Sequence, residues 1–192
     1  MKAKRRICLL MLPLLVIGVC ATFTLFFGEK PQKEPQHVNV SAKVDFYTDT
    51  DDLVSDSEII AVCEKISEDE PVVQKDGAGN ILAVYTLSTV RVKSVKKGDV
   101  SIGDELIVME NQGYDETSNI VYHIANYQAM QSNHEYLLLL RSSTSDPWYI
   151  PLAVNAGKIP MDEKESILSP GTEENLELKT RVLYDSVKEE LL

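Results

Sequence analysis

The longest apolar stretch of the chain covers residues 7–27 and contains no charged residue. A helix of these 21 residues would be about 31 Å long, which is close to the hydrocarbon thickness of a bilayer. Four basic residues stand within the first six positions, and positive charge beside a membrane span stays on the cytoplasmic side. The pattern predicts a cytoplasmic tail at 1–6, a transmembrane anchor at 7–27 and an extracytoplasmic remainder.

Two other fates of this apolar segment remain open at the sequence level. A secretory signal could be cleaved after Ala21, although the apolar run continues to Phe27. A lipoprotein signal would instead make Cys20 the lipidated residue. However, Val19 stands where a small residue normally precedes the acylated cysteine. We therefore favour an uncleaved anchor that places the protein in the cell membrane.

Beyond residue 45 the pattern changes to short apolar runs separated by turn-forming residues, which predicts a mainly β domain. Strands are expected at 58–67, 81–97, 105–110, 119–127, 135–142 and 148–154. In the long strand 81–97 the apolar positions change parity near Ser88 and again before Val95, which indicates bulges or a bend. Bent strands of this kind allow a small sheet to close into a barrel.

The rest of the chain divides into a linker, a short helix and a terminal helix. Residues 28–45 are polar with two prolines and are expected to form a stalk. Clustered acids at 46–57 favour a short first helix, so the β domain is placed at 46–168. An amphipathic helix is predicted within 169–192, since four apolar residues recur at helical spacing: Leu176, Leu183, Val187 and Leu191.

Charge excludes one class of partner. All 30 acidic residues but only 15 of the 19 basic residues lie beyond residue 27, so that part carries a net charge of −15. Because nucleic-acid binding depends on neutralising phosphates, we expect no nucleic-acid partner. Cys63 is the only cysteine outside the anchor, so no disulfide is expected within the domain.

Several motifs carry a resemblance to a known fold. They are the turns at Lys97-Gly98-Asp99 and Gly103-Asp104 and the leucine-rich strand within 135–142. Together with the order of elements, they resemble the OB-like β-barrel domains of bacterial surface proteins and lipoproteins, which are similar to the netrin-like domain of metalloproteinase inhibitors. The resemblance implies a small OB-like β-barrel at the surface and implies no activity. The inhibitors use an N-terminal cysteine that ligates metal, and the external part of this chain has no such residue.

Metal sites receive little support from the sequence. Five aspartates fall between Asp45 and Asp56, but they lack the spacing of a calcium-binding EF-hand loop. The three histidines, His37, His123 and His134, show no zinc-ligand spacing. We therefore expect neither a metal nor a cofactor.

The remaining candidates are aromatic side chains in the second half of the domain. A tentative binding rim consists of Tyr114, Tyr122, Tyr127, Trp148 and Tyr149, on or beside the loops 112–119 and 128–134. The prediction is a membrane-anchored extracytoplasmic binding module without catalysis, whose partner is an unknown protein or cell-surface component. Two alternatives remain open. One is a surface enzyme that uses Cys63 or a pair of carboxylates, and the other is a structural subunit of a membrane complex.

Overall fold

The computed structural model describes residues 33–44, 47 and 49–192. The predicted tail and anchor, including Cys20, lie outside the described residues. Within them, no helix has the length and apolar character needed to cross a bilayer. Residues 35–192 form one unit, and the architecture given below is the architecture of that unit.

Ten strands and two helices are found in the described part of the chain. In chain order they are β1 (Gln36–Val40), α1 (Thr50–Asp56), β2 (Ile59–Glu68), β3 (Val72–Lys75), β4 (Ile81–Lys97), β5 (Glu105–Glu110), β6 (Gln112–Asp115), β7 (Ile120–Ile124), β8 (Glu135–Ser142), β9 (Tyr149–Pro151), β10 (Lys158–Pro160) and α2 (Glu174–Leu191). The prediction of a mainly β domain with a short first helix and a C-terminal helix is therefore confirmed.

The larger sheet has the strand order β10-β8-β2-β4-β5-β9, and β3 pairs with β4 beside this path. Strand β9 also pairs with β8, through three residues, but it meets β5 only at Val108 and Tyr149. The sheet is thus not closed as a barrel, and the predicted closure is wrong. Strand β9 is too short to form a continuous ladder with β5, and it ends at Pro151, which has no amide proton.

A smaller sheet has the order β1-β7-β6. Strand β1 runs parallel to β7 from the Gln36–Ile120 pair to the Val40–Ile124 pair, although these five residues lie in the predicted stalk. Strand β7 therefore lies in the centre of its sheet and not at an edge. Strand β6, which lies in the predicted loop 112–119, pairs with β7, and strand β3, which was not predicted, pairs with β4.

Strand β8 separates two apolar cores, as its continuous run of leucines predicts. Leu137 and Leu139 face a core that also contains residues of α1 and α2. Leu138 and Leu140 face a second core built from β2, β4 and β5. The predicted stripe on the terminal helix is confirmed, with Val187 buried and Tyr184 added to it.

The long strand β4 buries a different face from the one that its apolar residues suggest. The buried positions are Val84, Thr86, Ser88, Val90 and Val92, with no change of parity near Ser88. The polar members are accommodated by hydrogen bonds, because Thr86 Oγ1 donates to the Gln112 carbonyl at 2.7 Å and Ser88 donates to Glu110. The predicted irregularity before Val95 is confirmed by register shifts against β2 on either side of Val95.

Candidate functional site

Two turns of the domain each place two consecutive non-glycine residues in the left-handed backbone region. The turn after β7 contains Ala125 at φ 50° and Asn126 at φ 61°, and the turn after β9 contains Ala153 at φ 47° and Val154 at φ 62°. A positive φ is a genuine outlier for a β-branched residue such as valine. Strained backbone of this kind persists where the surrounding structure enforces it, and it is common at ligand-binding sites.

Hydrogen bonds tie these two turns to each other and to their neighbours. The Asn155 amide Nδ2 donates to the Ala125 carbonyl at 2.8 Å, and the Tyr184 hydroxyl of α2 donates to the Asn155 carbonyl at 2.7 Å. The Ala125 amide donates to the carbonyl of Val40, the last residue of β1, at 2.9 Å. The Oδ1 atom of Asn155 is buried and has no hydrogen-bond partner among the described residues. The turns are therefore held rigidly, at the cost of one unsatisfied polar group.

A cavity of about 270 Å³, called here the α2 cavity, lies against both turns. One wall is the segment 41–44 that follows β1, a second is formed by the turns themselves, and a third by Leu176, Thr180 and Leu183 of α2. No charged residue is found among the described residues that line it, although 26% of the chain is charged. Its chemistry suits a neutral and mainly apolar group.

Glycine allows the second turn to approach the sheet. The Gly157 amide donates to the Leu152 carbonyl at 2.8 Å, and the Gly157 carbonyl accepts from the Leu139 amide of β8 at 2.9 Å. A Cβ atom at position 157 would overlap the backbone of Leu152 and Leu139. Only glycine therefore permits this close contact, which fixes the turn beneath the cavity.

The five predicted aromatic residues do not form one rim. Tyr127 is completely buried and Tyr122 is nearly so, which removes both from an exposed binding surface. Tyr114 donates its hydroxyl to Asn119 at 2.9 Å in the smaller sheet, whereas Tyr149 packs on the second core. The prediction is therefore corrected for Tyr122 and Tyr127, because their rings fill space inside the domain.

Trp148 has a different environment. Its ring is half-buried and lies 5.9 Å from the ring of Tyr85, at a tilt of 35°. The two rings belong to an open groove that also contains Met109, Arg141 and Ile150. Trp148 is thus half-buried in an open groove, unlike Tyr122 and Tyr127.

A second group of polar side chains lies inside the domain, and we call it the buried polar cluster. Its members are Lys65, Ser88, Glu110, Tyr127, Tyr136, Lys158 and Glu165. Glu110 accepts from Lys65 Nζ at 2.9 Å, from the Ser88 and Tyr127 hydroxyls and from the Met130 amide at 2.5 Å. A carboxylate with this many donors is fully satisfied. The burial of the Lys65–Glu110 ion pair therefore has a structural explanation.

The other half of the buried polar cluster surrounds Lys158. Its ammonium group lies 4.7 Å from the centre of the Tyr127 ring and donates to the Gln128 carbonyl. Burial lowers the pKa of Lys158 to about 8, which its attraction to Glu110 opposes. Tyr136 donates its hydroxyl to Glu165, and burial raises its pKa. Shifted pKa values of this kind occur at active sites, but also in closed structural networks.

The Cys63 thiol, one of the groups proposed for catalysis, is not accessible in this structure. Cys63 is fully buried, and burial raises the pKa of its thiol to about 12, so it is protonated at neutral pH. The two buried carboxylates of the described region, Glu110 and Glu165, are both hydrogen-bonded within the domain. Over the same described residues, no group of three or more potential ligands could hold a metal ion.

Two sites were not predicted from the sequence. The walls of the α2 cavity are contributed by five separate stretches, and of the left-handed residues that line it only Asn126 is a type typical of left-handed turns. The contact between His37 and His123 joins residues 86 positions apart. Neither arrangement has a local sequence signature that could have revealed it.

The comparisons with known proteins add no family to these observations. No protein-family model matches the chain, and the comparison with curated proteins finds no match.

Proposed function

We propose that the chain is a non-catalytic binding module whose ligand enters the α2 cavity. The observation that carries the proposal is the coincidence of an uncharged cavity with three left-handed non-glycine residues in its lining, Ala125, Asn126 and Ala153. Strained turns and an unsatisfied Asn155 side chain are tolerated where preorganised geometry serves binding. The closed hydrogen-bonding of the buried polar cluster favours binding over catalysis.

The cavity size and chemistry limit the ligand. A cavity of about 150 Å³ binds benzene in another protein, so a volume of 270 Å³ corresponds to about eleven heavy atoms on the same scale. An uncharged lining disfavours an ionised group, because a charge buried without a partner is costly. The expected ligand is a neutral, mainly apolar group such as a short acyl chain or an aromatic ring.

The location belongs to the same proposal and rests on the sequence. Residues 7–27 would anchor the chain in the cell membrane, with the β domain on the extracytoplasmic side. Protease treatment of intact cells tests this orientation. Digestion of the domain only after the cells are broken would contradict it. An acylated Cys20 detected by mass spectrometry would replace the spanning helix by a lipid anchor.

Titration with a fluorescent, neutral aromatic probe tests the binding site in the full-length chain. Ala42→Phe and Thr180→Leu add volume from two different walls, and each should weaken probe binding at least about tenfold by filling the cavity. Ala78→Phe, in the exposed turn between β3 and β4, is the matched control and should leave the affinity unchanged. Equal affinities in all three variants would overturn the assignment.

A second candidate function is contact with a macromolecular partner through the groove of Tyr85 and Trp148. The half-buried aromatic pair beside Arg141 favours it, since aromatic and arginine side chains dominate binding hot spots. In this case Trp148→Ala should abolish capture of a partner from solubilised membranes. The cavity variants should leave that capture intact.

A further inference from the structure

His37 of β1 and His123 of β7 meet where the first strand joins the smaller sheet. His37 Nδ1 lies 2.8 Å from His123 Nε2, and the rings stack with their centres 5.1 Å apart. His123 is 1% exposed, whereas His37 is exposed. A direct hydrogen bond between two imidazoles is unusual because each ring can gain a positive charge near neutral pH.

The second nitrogen of His123 determines which atom carries the proton. His123 Nδ1 lies 2.8 Å from the Tyr127 carbonyl oxygen, which can only accept. The neutral ring therefore holds its hydrogen on Nδ1 and presents an unprotonated Nε2. His37 Nδ1 must then be the donor to His123 Nε2.

We propose that the His37–His123 pair is a pH-sensitive latch that holds β1 on the domain and, through β1, the 41–44 wall of the α2 cavity. The second part rests on the proposed function of that cavity. Strand β1 leads directly into the wall, since Val40 is its last residue and Ser41, Ala42 and Val44 line the cavity.

Strand β1 depends on such a contact because it buries little apolar surface. Four of its five residues are exposed and Val40 is half-buried. Its other attachments in the described part of the chain are polar. They are the ladder with β7, the bonds from the Gln36 amide to the Asn119 carbonyl and from the Ala125 amide to the Val40 carbonyl, and two bonds of the Asn39 side chain, which accepts from the Ser169 hydroxyl at 2.6 Å and donates to the Pro170 carbonyl at 3.5 Å. A repulsive charge at position 123 therefore acts on a strand that is held by polar contacts and by little apolar burial.

The pair accommodates one additional proton but not two. A proton added to the exposed Nε2 of His37 leaves the bond from His37 Nδ1 to His123 Nε2 intact. A second proton would occupy His123 Nε2, so two N–H groups on two positive rings would face each other. Strand β1 therefore stays docked when the histidine pair carries one positive charge and detaches when it carries two.

Among the described residues, no hydrogen bond or ion pair joins His123 to a carboxylate, and Glu110, which accepts from the Tyr127 hydroxyl, is paired with Lys65. His37 faces His123 from β1, the Tyr127 carbonyl from the next turn, and Gln112 pairs with it from β6. The nearest acid of β6, Asp115, pairs with Ile120 at the other end of the strand and is bound to Lys75. Burial lowers the pKa of His123, and the charge of His37 lowers it further, against the opposing Tyr127 carbonyl.

The direction of the pH effect follows from this lowered pKa. Detachment of β1 removes the stacked His37 ring and its charge from His123, so the His123 ring binds protons at higher pH, closer to its usual pKa of about 6.5, than it does when β1 is docked. Docking is therefore fully favourable above the usual pKa. It is lost progressively as the pH falls from that value towards the pKa of the docked His123.

NMR of the full-length chain tests the latch without any ligand. Between about pH 7.5 and about pH 5, the β1 amides should lose at least about tenfold of their hydrogen-exchange protection, corrected for the intrinsic rate at each pH. The His123 ring should titrate together with the loss of the β1 signals. A His123 ring that titrates while β1 stays protected would overturn the proposal.

Two substitutions distinguish the latch from general acid sensitivity. In His37→Gln the side-chain amide can donate to a neutral His123 and its carbonyl can accept from a protonated one, so β1 should stay protected at both pH values. His134→Gln removes a histidine from a different site, beside Glu165, and should leave the wild-type loss of protection unchanged. Acid release of β1 in His37→Gln, or its absence in His134→Gln, would contradict the latch.

Adding the neutral aromatic probe separates this proposal from the function on which it rests. If β1 detaches at acid pH and bound probe is released with it, both are supported. If β1 detaches but the probe never binds at any pH, the latch stands and the cavity function fails. If the probe binds and remains bound after β1 detaches, the link between latch and cavity is wrong.

Discussion

The buried polar cluster and the α2 cavity lie on either side of one short segment, and they differ in almost every physical respect. Asn126 lines the cavity, while the hydroxyl of the next residue, Tyr127, donates to Glu110 in the cluster at 3.2 Å. The cluster contains charged side chains and three groups with shifted pKa values, Lys158, Tyr127 and Tyr136, and its groups are buried and hydrogen-bonded. The cavity is uncharged, open and bounded by strained backbone.

This contrast shows why titratable groups alone are a poor guide to function here. Lys158, with its pKa lowered to about 8, and Tyr136, with its raised pKa, would attract attention as acid–base candidates. Both are sealed from solvent. Accessible space and enforced backbone strain point instead to the neighbouring cavity. We therefore expect substitutions in the buried polar cluster and at the cavity to change the unfolding free energy by different amounts.

The largest effect is expected from Glu110→Ala in the buried polar cluster. Removing this carboxylate leaves the buried Lys65 ammonium with only the exposed Glu68 as counter-charge and takes the acceptor from two buried hydroxyls, which should cost about 3–5 kcal/mol of unfolding free energy. Urea unfolding followed by the fluorescence of the single tryptophan measures it. Glu105→Ala is the control on the same strand, because its ion pair with Arg91 is exposed and should contribute less than about 1 kcal/mol. A similar loss of unfolding free energy in both variants would mean that the buried Glu110 stabilises the fold no more than the exposed Glu105 does.

A smaller effect concerns the dependence of stability on pH. Because the folded pKa of Lys158 lies at about 8, below its usual 10.5, the unfolded chain binds more protons between these values. The contribution of Lys158 to stability should therefore rise with pH in this window. Relative to Lys158→Met, the wild-type chain should gain about 2 kcal/mol between about pH 8 and about pH 10. Parallel pH profiles for the two proteins would show that the lysine titrates normally.

The strained turns should respond in the opposite direction. Glycine accepts the left-handed backbone at position 153 without strain, so Ala153→Gly should raise the unfolding free energy by up to about 1 kcal/mol. Ala78→Gly is the matched control, since Ala78 lies in an exposed turn without a positive φ and should lose about 0.5 kcal/mol. Chemical unfolding measures both. A loss of stability in Ala153→Gly would indicate that the turn is not strained.

Local patterns predicted most elements of this domain. The continuous leucines of β8, the turn residues around β5 and the helical spacing in α2 each carry a signal that no distant contact overrides. The buried face of β4 was mispredicted because Thr86 and Ser88 are polar, and their burial depends on Gln112 and Glu110 from other strands.

The sites were less predictable than the fold. The cavity depends on the turn at Ala153 and Val154, whose residue types do not favour a positive φ. Strand β1 was missed because its residues are mostly exposed and polar, and its pairing depends on a partner more than 80 positions away. These features arise from tertiary contacts, which a single sequence does not reveal.

The most direct test of the central claim is to locate the neutral aromatic probe on the full-length chain by NMR with labelled leucine and methionine methyl groups. The account predicts contacts from the probe to the methyl groups of Leu176 and Leu183, and their loss in Ala42→Phe but not in Ala78→Phe. Contacts to Met109 in the Trp148 groove, with none to the two leucines of α2, would contradict it.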